Sequence, residues 1–281
     1  MKSISRKVKF FVSLCFLLYI ASCSMQLGPK KTIIRIKGSD TLLPLAKHWA
    51  TAYMQENADV SIYVQGGGTA TGAAALATGS ADICTASRPL RSAEVQNIAQ
   101  IHGSVGFSFL VAKEAIAIFL NKSNPVESFS LTEVKNIFTG NVLNWQELAW
   151  QDTSIKLYGR SPNSGTHHYL RQHVLQGQPY TSDVQVLAGT SAIVRAVQKD
   201  KFSIGYGGFA YGEGVKMARI NNIAITPKNI RDASYPISRY LYLYTIDKPR
   251  GRVKKFIDWT MSQAGQRIAL ESGYLPVIEL E

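Results

Sequence analysis

The chain has 281 residues, too many for a small disulfide-stapled scaffold and enough for two α/β lobes. Hydrophobic residues are 46% and charged residues 18%, a balance that excludes disorder and fills a real core. Lys and Arg outnumber Asp and Glu by 31 to 19, a net charge of +12, and three Cys are too few and too odd for a disulfide framework.

Lys2, Arg6, Lys7 and Lys9 form a basic start, and Phe10 to Ala21 is an apolar run of 12 residues broken only by Ser13. A spanning helix needs about 20 apolar residues, so the run reads as a signal-peptide core over residues 1–22. It ends in Tyr19-Ile20-Ala21-Ser22-Cys23, which resembles the lipobox of bacterial lipoproteins. That resemblance implies lipid on Cys23 and a tether over 23–31. Cys15 then leaves with the signal, and Cys84 stands alone in an apolar stretch as a small buried side chain. Loss of the four leading cations leaves the remainder basic, which suits anions or an anionic surface. An exported chain without an aromatic-basic motif is not a nucleic-acid binder.

Thr32 to Lys37 is β-like and runs into Gly38-Ser39-Asp40-Thr41. Leu42, Leu45, Trp49, Ala52 and Tyr53 then recur at helical spacing, with Pro44 in the first turn where its missing N–H does no harm. Val60 to Gln65 is a second strand, followed by Gly66 to Gly72 and a helix over Ala73 to Ala77. Ala81 to Thr85 is a third strand, ending at Ser87-Arg88-Pro89, and Ala93 to Ile101 is helical. Val105 to Leu120 reads as strands meeting a crossover. Leu131 to Phe138 is a short amphipathic helix, and Asn141 to Trp145 a turn-rich loop. Strand Ile155 to Tyr158 enters Gly159-Arg160-Ser161-Pro162-Asn163-Ser164-Gly165-Thr166, with a helix through Tyr169, Leu170, His173 and Val174 behind it. Ser191 to Gln198 is a helix, Ile204 to Tyr206 and Tyr240 to Ile246 are strands, and Val253 to Gly273 is a final helical region. Strands alternating with helices at Gly-rich junctions define an α/β fold with a mostly parallel sheet.

Three junctions carry the chemistry: Gly38 to Thr41, Gly66 to Gly72, and Arg160 to Thr166. Each places Gly with Ser or Thr at a helix start, where unpaired N–H groups and the positive dipole end favour an oxyanion. Arg160 adds a rigid fork of donors. Helix capping alone accounts for any one junction. There is neither a dinucleotide fingerprint nor a P-loop. The histidines 167, 168 and 173 give no i, i+4 metal pair, and no cofactor or metal is expected.

Gly38-Ser39-Asp40-Thr41, Gln65-Gly66-Gly67-Gly68-Thr69, Ala86-Ser87-Arg88-Pro89-Leu90, Ile137-Phe138-Thr139-Gly140 with Asn144-Trp145, and Arg160 with Ser164-Gly165-Thr166 occur in that order. Together they resemble the phosphate-binding component of bacterial phosphate ABC importers. The resemblance implies a two-lobed periplasmic-binding-protein fold of type II with the ligand in the interlobe cleft. The lobes would be 32–115 plus 240–281, and 116–239. It implies phosphate bound by Ser39, Thr41, Leu42, Thr69, Ser87 and Arg88 from the first lobe. The second lobe would add Arg160, Ser164, Gly165 and Thr166. Some members place an Asp just after the third strand, where this chain has Ala86-Ser87-Arg88, so Asp40 is the nearest replacement. As the only acid in the three loops, Asp40 is expected either to accept the phosphate proton or to cap the helix after Thr41. Implied partners are inorganic phosphate, ABC permease subunits and, through Cys23, a membrane facing periplasm or exterior, with the protein a monomer.

Other readings stay open. Sulfate or molybdate could replace phosphate. A phosphatase could use Ser161 or Ser164 with His167 or His168, although no carboxylate lies near in sequence to orient the histidine. A surface adhesin could use the basic run Lys248-Pro249-Arg250-Gly251-Arg252-Val253-Lys254-Lys255 against anionic headgroups.

Overall fold

The structure, a computed structural model, describes residues 31–281. The expected signal segment and Cys23 lie outside the described residues. Three parallel strands open the fold: β1 (Thr32–Gly38) pairs with β2 (Val60–Gln65) on one side and β3 (Ile83–Ala86) on the other. Between them run α1 (Leu43–Glu56) and α2 (Thr69–Ala77), and α3 (Ser92–His102) follows. The period seen in α1 is its buried face: Leu45, Trp49 and Tyr53 pack down, and the Trp49 indole N–H donates to the Gly265 carbonyl at 2.7 Å.

β4 (Phe107–Leu120) is one strand of 14 residues, not strands meeting a crossover. It crosses the molecule and joins two sets of strands. Its first half pairs antiparallel with β10 (Ser238–Thr245), which also pairs with β3. Its second half pairs with β8 (Ser203–Gly208) and β9 (Lys216–Ile220). β6 (Lys156–Arg160) lies parallel to β8 and to β7 (Gln185–Leu187), and the short β5 (Ser128–Phe129) pairs with β9. The main path of the mixed sheet is β2-β1-β3-β10-β4-β8-β6-β7, parallel within each outer set of three.

Helices cover this second set: α4 (Leu131–Thr139), α5 (Gly165–His173), α6 (Thr190–Lys199) and the short α7 (Pro227–Arg231). The final helical region is two helices, α8 (Gly251–Thr260) and α9 (Gln263–Glu271). Ser262 separates them by accepting from the Gly265 N–H at its side chain, an N-cap that starts α9 afresh.

There are two main apolar cores, and they part within β4. Val111 and Ala112 belong to the first, with Ile34, Trp49, Leu241 and Phe256. Ala115, Ile116, Ile118 and Leu120 belong to the second, with Phe138, Trp145, Tyr206 and Ile237. β10 divides the same way, Ile237 just before it to one core and Leu241 and Leu243 to the other. Two cores sharing two through-strands make a two-lobed molecule with strand ends converging at the middle. Among the described residues no helix is long and apolar enough to cross a membrane.

Candidate oxyanion-binding cleft

Four loops meet where the two cores part. The first follows β1. Ser39, Thr41 and Leu42 are buried there. The Ser39 N–H donates to the Thr85 carbonyl at 2.8 Å, and the hydroxyls of Tyr274 and Tyr211 donate to the Thr41 and Asp40 carbonyls, each at 2.6 Å. The Asp40 and Thr41 carbonyls are therefore occupied from behind. Leu42 sits at the N-cap of α1 with no side-chain cap, so the helix start keeps its donors.

The second loop is Gly66-Gly67-Gly68, leading straight into α2. The helix begins at Thr69, four residues before the expected Ala73. Gly68 has φ of 95°, and a Cβ there would stand 2.5 Å from the Asn163 carbonyl oxygen. Glycine thus serves both the left-handed turn and the close approach of the opposite lobe. The Ala70 N–H completes that approach by donating to the Asn163 carbonyl at 3.2 Å.

The third loop follows β3. Thr69 Oγ1 accepts from the Ser87 N–H at 3.2 Å, while the buried Ser87 hydroxyl has no partner in the protein. Arg88 is buried too, but both its terminal nitrogens donate to Glu94 at 2.7 Å, leaving Nε unpartnered. Burial alone would raise the Glu94 pKa. Hydrogen bonds from the Arg88 and Arg91 guanidiniums and the Arg91 N–H, with the Arg88 charge, hold it down to about 2.

The fourth loop closes the cleft from the second lobe. Arg160 ends β6, its N–H donating to the Tyr206 hydroxyl at 3.1 Å and Nη1 to Thr190 Oγ1 at 3.2 Å. Nη2 forms an ion pair with the Asp40 carboxylate from the other lobe, and Nε has no partner. Ser164 caps α5 by accepting from the His167 N–H. Gly165 and Thr166 follow in the first helical turn, whose N–H groups no intrahelical carbonyl can reach. A Cβ on Gly165 would lie 2.4 Å from both Ser87 Oγ and Thr69 Oγ1, and the Thr166 hydroxyl lies 3.0 Å from that of Thr41.

The structure thus brings together Ser39, Asp40, Thr41, Leu42, Thr69, Ser87, Arg160, Ser164, Gly165 and Thr166, with Arg88 alongside. It revises what Asp40 does. Asp40 is not the cap of α1, whose N-cap is Leu42. Its Oδ2 holds Arg160, and its Oδ1 accepts from the Gly67 N–H at 2.8 Å. Asp40 thus aims Arg160 and braces the second loop, and each of its oxygens keeps a further lone pair for an acceptor role.

Two residues absent from the sequence reading lie at the same point. Glu114 on β4 and Arg239 on β10 are opposite one another in register and form a buried ion pair, Arg239 Nη2 to Glu114 Oε1 at 2.6 Å. Burial pushes the Glu114 carboxyl above the usual range, against the opposing pull of Arg239. The available signal is Glu114 directly before the apolar run Ala115 to Leu120, and the alternation Ile237, Arg239, Leu241, Leu243 that puts Arg239 on the inward face. Each buried arginine here carries its own carboxylate: Arg88 has Glu94, Arg160 has Asp40, Arg239 has Glu114.

A fold of two α/β lobes around a donor-lined cleft is that of an extracytoplasmic-type solute-binding protein. Residues 26–264 match the PBP superfamily domain, and the chain belongs to that family. It is 29% identical over 267 residues to the phosphate-binding protein PstS of Pseudomonas aeruginosa, covering 85% of this chain and 81% of that one. It is also 29% identical over 251 residues to PstS of Bacillus subtilis, covering 88% and 82%. A Clostridium perfringens structure described as a phosphate ABC transporter substrate-binding protein with bound phosphate superposes with a TM-score of 0.81. That pair is 29% identical, covering 88% of this chain and all of the other. An ABC-type phosphate transport receptor from Vibrio cholerae gives a TM-score of 0.72 at 25% identity, covering 86% and 99%.

Proposed function

We propose that this chain captures inorganic phosphate outside the cytoplasm and delivers it to the permease of an ABC importer. One observation carries the reading: hydrogen-bond donors on loops of both lobes are buried without protein acceptors. Ser87 Oγ, Arg88 Nε and Arg160 Nε are such donors. A buried donor left unmet costs about 1–3 kcal/mol, which an acceptor-rich oxyanion offsets. Resemblance to proteins named for phosphate supplies the choice of anion.

A carrier fits the geometry better than a hydrolase. The Ser164 hydroxyl is engaged by the His167 backbone N–H, while the His167 ring stacks on Tyr180 at 4.3 Å between centroids. Burial first, with nearby cations, pushes the His167 pKa down to about 4 despite a hydrogen bond with the Arg160 backbone. Among the described residues no histidine ring engages the Ser164 or Ser161 hydroxyl. We further read Cys23 as lipid-modified, anchoring a monomer to the membrane. The lobes are then 32–115 plus 240–281, and 116–239, a division that the two cores support except at Ala115 and Leu275, which pack with the second lobe.

Calorimetric titration with phosphate, sulfate and molybdate tests this directly. Saturable one-to-one binding of phosphate, tighter than the other two, is expected. Preference for sulfate or molybdate would overturn the choice of anion, and turnover of a chromogenic phosphate ester would overturn the carrier reading.

A further inference from the structure

Arg239 sits where the two lobes part, and its hydrogen bonds have a direction. Its Nη2 carries two N–H groups. One donates to Glu114 Oε1 at 2.6 Å; the other donates to Thr166 Oγ1 at 2.9 Å, with Thr41 Oγ1 at 3.4 Å. Nε donates to the same Glu114 oxygen at 2.9 Å. Thr41, Thr166, Glu114 and Arg239 are all buried, so water does not scramble this pattern.

A hydroxyl can give or take a hydrogen bond, whereas a guanidinium can only give. Thr166 Oγ1 must therefore accept from Arg239, and its own proton is left to donate. The neighbouring Thr41 hydroxyl, 3.0 Å away, shares a hydrogen bond with Thr166 in which either oxygen can donate, and its contact with the guanidinium is the longer one at 3.4 Å. We propose that Arg239, clamped by Glu114, is a positioning residue that fixes the hydroxyl of Thr166, which faces Thr41 across the cleft, as a donor toward the bound oxyanion. Those threonines come from opposite lobes, so the same guanidinium spans the gap when the cleft is shut. The cleft then favours ligand oxygens that only accept, and rejects a hydroxyl that must donate at this position. The inference rests on the oxyanion reading of the cleft.

A double-mutant cycle tests it. Arg239→Met and Thr166→Val are each expected to weaken phosphate binding at least about tenfold. If Arg239 acts through the hydroxyl, the double variant is no more than about threefold weaker than the worse single variant. A merely structural arginine would instead multiply its effect onto Thr166→Val, and that outcome would overturn the proposal. Unchanged affinity in Arg239→Met would overturn it as well. Melting without phosphate reports whether each variant folds. Should Arg239→Met fail to fold, Glu114→Gln keeps the arginine and loosens its clamp. It should weaken phosphate by at least about threefold, and that loss should vanish in the Thr166→Val background. Loss that persists there counts against the proposal. The wild-type titration separates the two claims: if wild type binds sulfate and not phosphate, the anion choice fails and the cycle is read with sulfate.

Discussion

Replacing Arg160 by Ala separates what this arginine does for folding from what it does for the ligand. Arg160 is almost fully buried and its side chain holds Asp40 and Thr190 Oγ1. Truncation leaves the Asp40 carboxylate without its cation. Breaking a fully buried ion pair costs about 3–5 kcal/mol, and Asp40 keeps 16% side-chain exposure, which puts the cost at the lower end, about 3 kcal/mol. For a chain of this size that lowers the melting temperature by about 6–12 °C. The ligand loses one or more charge-assisted bonds of about 1.5–3 kcal/mol, so phosphate should bind at least about tenfold more weakly. Arg160→Lys should recover only part, because one ammonium does not copy the fork. Arg160→Ala combined with Asp40→Ala removes the stranded charge, so it should regain stability without regaining affinity. Calorimetry and thermal unfolding with and without phosphate read both effects. Wild-type affinity in Arg160→Ala would refute the reasoning, and so would affinity restored in the double variant.

Three further outcomes follow from particular residues. Gly165→Ala puts a methyl 2.4 Å from Ser87 Oγ and Thr69 Oγ1. It should prop the lobes apart, weakening phosphate at least about tenfold while the radius of gyration from small-angle scattering no longer shrinks on ligand addition. Glu94 has a carboxyl held down to about 2 in the folded protein, below its usual value of 4.5. Its stabilising contribution is therefore present above pH 4.5 and is lost as the pH falls toward 2, so urea stability should drop across that window and drop less in Glu94→Gln. Cys23→Ala should release the protein from membranes or leave it uncleaved, as detergent partitioning and intact mass would show. An unmodified Cys23 in the processed wild type would end the lipoprotein reading.

Local features of this fold are legible in the sequence because their causes are local. The α1 face of Leu45, Trp49 and Tyr53 follows from period alone, and the loops around Ser39, Thr69 and Ser164 follow from glycine and hydroxyl residues at helix starts. β4 is hard to delimit because Val111 to Leu120, the half-buried Lys113 apart, is buried on both faces, so no alternation marks it as one strand. β7 is three residues long with Val186 exposed, too short for a pattern. The partners of the charged groups were hidden by distance along the chain. Asp40 meets Arg160 across 120 residues, and Glu114 meets Arg239 across 125. Asp40 therefore reads as a cap or a ligand acceptor in the sequence, and its pairing with an arginine shows only once the fold brings that arginine near.

Phosphate held between the lobes by donors from all four loops is the arrangement on which the proposed function turns. A crystal structure of the signal-free protein grown with phosphate tests this most directly. Tetrahedral density is expected within about 3 Å of the Thr41 and Thr166 hydroxyls, the Gly165 N–H, Ser87 Oγ and the Arg160 guanidinium. Asp40 should still be paired to Arg160 and Glu114 to Arg239. Phosphate bound elsewhere, or touching one lobe only in a closed molecule, would contradict it.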